Sequence, residues 1–222
     1  MKKIPLIILL LAVYITTAFA QRNVADVIDS FSNREYSKVE SLNENEWKFA
    51  RFVFSKIDHL YHDADAVTQL KDTLTTFWFD KVFKRNIDNP NSYTLDFEKV
   101  RAEAAKESLT DILDITEFSF IGMKMPILEK TKSITHLELG ECDKNIKSMF
   151  WAQIDKIRPS YELLVSTNED NHKTMILKNK EKDLFSEFIM IDETGDSSID
   201  LVWLKGVYDG SELTPPKDHD EK

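Results

Sequence analysis

An α+β fold follows from three features of the sequence. Before residue 116, apolar residues recur every three or four positions in several stretches, the period of helices with one buried face. From Tyr161 to Leu213 the period drops to two and breaks at short polar turns, the pattern of an antiparallel meander. Between them, residues 117–157 read as two strands and a helix. Helix and strand are largely segregated along the chain, which separates α+β from an alternating α/β architecture. The expectation is a set of amino-terminal amphipathic helices packed with a carboxyl-terminal ββα unit and meander.

The chain opens with Lys2 and Lys3, an apolar run from Ile4 to Ile15, and small residues at Ala18 and Ala20 before Gln21. A basic start, a short apolar core and an A-x-A end describe a cleavable secretory leader over residues 1–20, cut between Ala20 and Gln21. The run is shorter than the roughly 20 residues of a spanning helix, and no second one follows. The expectation is a periplasmic or secreted protein with no stable membrane insertion after processing. Position 21 is not cysteine, so no lipid anchor is expected there.

The whole chain of 222 residues carries a formal charge of −10, and losing Lys2 and Lys3 makes the remainder more acidic. Nucleic acid is excluded as a partner, because phosphate contacts need clustered Lys and Arg. Cys142 is the only cysteine. It forms no internal disulfide and reads as a small buried apolar residue, since Glu141 and Asp143 beside it disfavour a thiolate.

Taken in order, Val24, Val27, Ile28 and Phe31 have helical spacing, and Ser32–Tyr36 reads as a loop. Ser41 and Glu44 form a capping box for a helix carrying Trp47, Ala50, Phe54, Ile57 and Tyr61 and ending near His62. A second helix is expected from about Asp65 to Lys84, with an end, TTFWFDKVF, rich in strand formers. Asn86–Asn91 reads as a turn. Asp96 or Thr94 caps a third helix through Phe97, Val100, Ala104, Ser108, Ile112 and Ile115. Glu117–Met123 and Ser133–Gly140 alternate as strands, the latter with Leu137 and Leu139 on one face and His136 and Glu138 on the other. Asp143 caps a helix through Ile146, Met149, Phe150, Ile154 and Ile157, stopped by Arg158-Pro159. In the first meander strand, Tyr161, Leu163 and Val165 alternate with Glu162, Leu164 and Ser166. The organisation is a leader (1–20), a helical region (21–116), an α+β region with the meander (117–213) and a disordered tail (214–222).

ITHLELGECD, YELLVSTNED, HKTMILKNK, FSEFIMIDETGD and IDLVWLKGVYDGSEL lie in that order between Phe118 and Leu213. Together they resemble the DUF4252 family, exported proteins of Bacteroidetes with no assigned activity. The signature is YELL, a polar turn, a strand, Glu before an apolar strand, and a last strand through Lys205-Gly206. The resemblance implies an exported compartment and brings no catalytic residue with it.

DHLYHDAD is the cluster whose residue types suit a metal. His59 and His62 lie three apart on one helix side, with Asp63 beside them, and imidazole with carboxylate suits zinc or another divalent ion. The same residues more commonly describe the polar rim of a helix end. His136 and Glu138 share one strand face, an arrangement that suits an acid–base pair but more commonly marks a surface-facing strand edge. The chain lacks a G-x-S-x-G elbow, an H-E-x-x-H helix and a phosphate-cradling glycine loop, so no catalytic residue and no cofactor is assigned. Trp47, Trp78, Trp151 and Trp203 sit in or beside apolar stripes and read as core. The composite reading is an exported, non-catalytic module that binds a protein or small ligand or serves the envelope. The alternative is a hydrolase or metal-dependent enzyme whose site is assembled across the fold.

Overall fold

The computed structural model describes residues 23–62, 68–85, 93–106, 119–120, 123–124, 126–169, 172–179, 184–195 and 198–209. The leader, the Asn86–Asn91 turn, the third helix beyond residue 106 and the tail lie outside them. The elements in order are α1 (Val24–Phe31), β1 (Ser37–Leu42), α2 (Glu44–His62), α3 (Thr68–Phe79), β2 (Phe83–Arg85), β3 (Tyr93–Leu95) and α4 (Phe97–Ala104). There follow β4 (Ser119–Phe120), β5 (Met123–Lys124), α5 (Pro126–Glu129), β6 (Thr131–Leu139), α6 (Lys144–Ile157), a 3-10 turn (Arg158–Ser160), β7 (Tyr161–Glu169), β8 (His172–Asn179), β9 (Leu184–Thr194) and β10 (Ser198–Asp209). Helices and an antiparallel meander make this the expected α+β fold.

Six strands form one sheet in the order β1-β6-β10-β9-β8-β7. The meander occupies one end, and β6 joins it beside β10 rather than beside β7. β1 is a strand within the stretch read as helical, and β2 and β3 form a small antiparallel ladder there, with Phe83 opposite Leu95 and Arg85 opposite Tyr93. The strand formers at the end of the second helical pattern resolve accordingly: the helix stops at Phe79 and the chain is extended by Phe83.

By contact density the chain divides into two compact units whose boundaries fall inside β1, β6, β9 and β10. The first holds the described residues through Val39, His136–Lys180 and Phe188–Trp203. Its core is one sheet face covered by two helices. Val24, Val27, Ile28 and Phe31 from α1 and Phe150, Ile154 and Ile157 from α6 pack on Leu137, Leu139, Leu177, Ile189, Ile191 and Leu201. Met149, expected in the same α6 stripe, is exposed. Full burial of each such side chain contributes roughly 1.5–3 kcal/mol. Both helices are capped. Asn23 and Asp26 form a reciprocal capping box, and Asp143 accepts from the backbone N–H groups of Asn145 and Ile146, both at 2.8 Å.

A half-buried polar clamp ties α6 to the sheet. Trp151 Nε1 donates to Glu193 Oε2 at 2.6 Å and Lys147 Nζ lies 2.9 Å from Glu193 Oε1. Lys147 also donates to the carbonyl of Gly195, the left-handed residue (φ 57) that turns β9 toward β10. Lys173 sits over the Trp151 ring, 3.3 Å from its centroid. Burial pushes the Glu193 carboxyl up, but the bonds from Lys147 and Trp151 and the charges of Lys147 and Lys173 outweigh it and hold it below the usual value.

The second unit holds Glu40–Thr135, Glu181–Glu187 and residues from Leu204 onward. α2 is its centre, with Trp47, Phe49, Ala50, Val53 and Ile57 buried. Its cap is Asn43, not Ser41: Asn43 Oδ1 accepts from Asn45 and Glu46, and Glu46 accepts from the Asn43 backbone N–H. Ser41 is still in β1, so the box slides two residues along. Trp47 Nε1 donates to the Leu128 carbonyl and Arg51 Nη1 to that of Glu129, which satisfies α5 acceptors that a four-residue helix cannot pair internally. Asp96 caps α4, accepting from Lys99 N–H at 3.1 Å.

Gly206 explains why β10 carries Lys-Gly near its end. A Cβ there would lie 2.3 Å from the Lys130 carbonyl oxygen and 2.7 Å from the Tyr208 ring. That closeness lets the fully buried Tyr208 stack on Phe185, with centroids 5.0 Å apart, and place its hydroxyl 2.9 Å from Thr131 Oγ1.

Two substitutions test these contacts. Gly206→Ala forces backbone atoms apart and is expected to lower unfolding free energy by about 3 kcal/mol, read from urea melts. Glu193→Gln is expected to cost about 2 kcal/mol at neutral pH by leaving Lys147 poorly paired. Because the Glu193 pKa is lowered in the fold, its contribution is complete above the ordinary value of 4.5 and is lost as pH falls through the depressed one. The variant's acid melt should therefore be shallower than the wild type's across that window.

Candidate binding surface

The first unit has one helix-covered sheet face and a second face whose residues are set by alternation and by register. Met175 and Leu177 of β8 are buried toward the helices, so His172, Thr174, Ile176 and Lys178 face the other way. The β8–β9 ladder places Thr174 opposite Asp192 and Ile176 opposite Met190. The β7–β8 ladder places Glu162 opposite Lys178, Leu163 opposite Leu177, and then Val165 opposite Ile176, with a register shift in between.

That shift is a β-bulge at Leu164, and it corrects the simple alternation read from the sequence. One extra residue reverses the facing of everything after it. Val165, expected on one face with Tyr161 and Leu163, turns onto the face of Glu162. Ser166, opposite Met175, takes the helix side. The result is an apolar row of Val165, Ile176 and Met190 across three strands, with Val165 42 % and Met190 41 % exposed. The bulge, not the hydrophobicity pattern, creates it.

Polar pairs flank the row. Asp192 accepts from Thr174 Oγ1 at 2.8 Å and from Thr194 Oγ1 at 3.2 Å, and His172 Nε2 lies 2.8 Å from its Oδ1. Beyond β9, His136 Nε2 lies 2.8 Å from Asp200 Oδ1. Lys178 reaches Glu162 at 3.2 Å. These pairs fix polar side chains on that face.

The candidates raised by the sequence fall as follows. His136 and Glu138 share the face as expected, but the carboxylate that meets His136 is Asp200. Nothing in the IDLVW stretch marks that residue, because only the placement of β6 beside β10 brings the two together. Asp63 lies outside the described residues. His59 and His62 lie in the last turns of α2, with side chains outside the description, so the His59, His62, Asp63 cluster has no geometry to report. Among the described residues no group of three or more His, Cys, Asp and Glu is placed to hold a metal ion. Cys142 is buried, its thiol donating to the Leu139 carbonyl at 3.4 Å. Burial pushes that thiol up, Asp143 and Glu193 add to the rise, and Lys147 opposes it, as the structural reading of this residue requires. Trp47 and Trp203 are core, whereas Trp78 and Trp151 are half-buried.

An open cleft of about 360 Å³ lies where the α1–β1 loop meets the end of β6, lined by Glu35, Tyr36, Ser37, Lys38, Glu138, Gly140 and Glu141. Gly140 N–H donates to the Tyr36 carbonyl at 2.8 Å. The next residue, Glu141, has φ 51, a left-handed conformation that costs a residue with a Cβ roughly 1–2 kcal/mol. Glu141→Gly is accordingly expected to raise stability by about 0.5–1 kcal/mol, measured as a shift in the urea midpoint at unchanged slope.

Residues 118–214 match the family model of DUF4252, a domain of unknown function. The match covers the carboxyl-terminal half, from β4 through the end of the meander, as the strand-and-turn pattern implied. No curated protein and no solved structure matches the chain. Among the described residues no helix is long and apolar enough to cross a membrane.

Proposed function

We propose that this is an exported, non-catalytic binding module that uses the second sheet face of its first unit to hold a partner at the cell envelope. The observation that carries the proposal is the row Val165, Ile176 and Met190. It is contiguous across three strands, partly solvent-exposed, and bordered by ordered polar pairs. An apolar strip with a polar rim is the usual make-up of a recognition surface. The bulge strengthens the argument, since it sets Val165 opposite Ile176 on this face. Export rests on the leader motif ending at Ala20.

The partner is taken to be a protein segment or small ligand with an apolar edge, since the row offers three apolar side chains between polar pairs. A photo-crosslinking residue at Met190, and separately at Asp155 on the exposed side of α6, tests this in the producing cells. A discrete adduct from position 190, none from 155, and loss of the adduct on adding Val165→Lys are expected. Val165→Lys should leave stability within about 0.5 kcal/mol. Equal labelling from both positions, or none from 190, would sink the reading. Intact mass of the purified protein checks export: its chain should begin at Gln21.

A further inference from the structure

We infer that the outer edge of β7 pairs antiparallel with β7 of a second copy, joining two sheets through Val165–Glu169. The inference concerns the edge of the sheet rather than the face described above, with Val165 common to both. It rests on the two edges of the sheet. β1 and β7 are the end strands, and an end strand presents unpaired N–H and C=O groups that proteins commonly guard with charge, proline or a bulge. β1 carries Lys38 and Glu40 in its six residues. β7 is nine residues long, has no charge or proline from Leu163 to Asn168, and is exposed from Val165 to its end. Among the described residues, its guards are the bulge at Leu164 and, near its two ends, Glu162 and Glu169. The bulge blunts the first half and leaves Val165–Glu169 regular, each residue paired in turn with β8 from Ile176 to His172.

The sequence of that regular half is self-complementary about Thr167. A two-fold axis there sets Thr167 against its own copy, a favourable cross-strand pair. It sets Ser166 against the partner copy's Asn168, two side chains that can hydrogen-bond, and Val165 against Glu169. A two-fold antiparallel ladder must place its axis on a residue, because adjacent pairs alternate between hydrogen-bonded and open types and symmetry forbids equivalent neighbours of different type. Glu169 therefore meets itself only if the axis sits on Glu169, where a single residue pair would remain. No register within Val165–Asn168 opposes two acids. The short ladder implies a weak dimer, populated at high protein concentration.

Cysteine substitutions on the processed chain decide the matter, because the native Cys142 is buried and does not compete. Under mild oxidation Thr167→Cys should form a disulfide-linked homodimer. Ser166→Cys and Asn168→Cys should each stay mostly monomeric alone and cross-link with one another when mixed, the pattern of an axis at Thr167. Sedimentation velocity should show concentration-dependent dimer, with the dissociation constant raised about fivefold by Thr167→Lys, since like charges then face each other. Thr167 is exposed, so that variant should melt like the wild type. A monomer at every concentration, or cross-linking equally efficient for all three single variants, would overturn the inference. Neither result bears on crosslinking from Met190.

Discussion

The structure of the first unit depends on burying one face of the meander beneath α1 and α6. Phe31 and Phe150 meet with centroids 5.8 Å apart and close the two helices over Leu177, Ile189, Ile191 and Leu201. With a single cysteine there is no covalent staple, so this contact carries the ordering cost of several strands. The Lys147–Glu193–Trp151 clamp then sets where α6 lies along β9. The apolar contact is non-directional, whereas the clamp is specific in position.

The same burial explains the opposite face. A strand with one face in the core must present the alternate residues elsewhere, and here those include His172, Thr174, Asp192 and Asp200. They satisfy one another in short pairs. The His–Asp contacts have the look of catalytic dyads when read as pairs of residue types. In place they are cross-strand contacts on an open sheet, with Thr174 and Thr194 as the further partners of Asp192. The proposed binding surface accordingly draws on these contacts as a polar rim.

The second unit is built differently. α2 supplies a broad buried stripe, while Thr131, Tyr208 and Gly206 form a small polar and steric lock around the start of β6 and the end of β10. The family match begins at residue 118 and includes this lock but not α2 or α4. The Lys205-Gly206 signature therefore has a local physical cause: the Lys130 carbonyl occupies the space a side chain at 206 would need.

Periodicity alone determined most of the elements. The stripes of α1, α2 and α6, the cap at Asp143, the stop at Arg158-Pro159, the four meander strands and the buried state of Cys142 were all legible, because each depends on residues close in sequence. The cap at Asn43 was misplaced by two residues because β1 occupies Ser41, a strand that short-range pattern did not reveal. Tertiary structure alone decided the rest. Strand order put β6 beside β10 and so gave His136 to Asp200. Register at Leu164 turned Val165 outward. Close approach of Lys130 made Gly206 obligatory. Each of these depends on which distant backbone lies alongside, and that choice is set by the energy of the whole sheet rather than by any one segment of it.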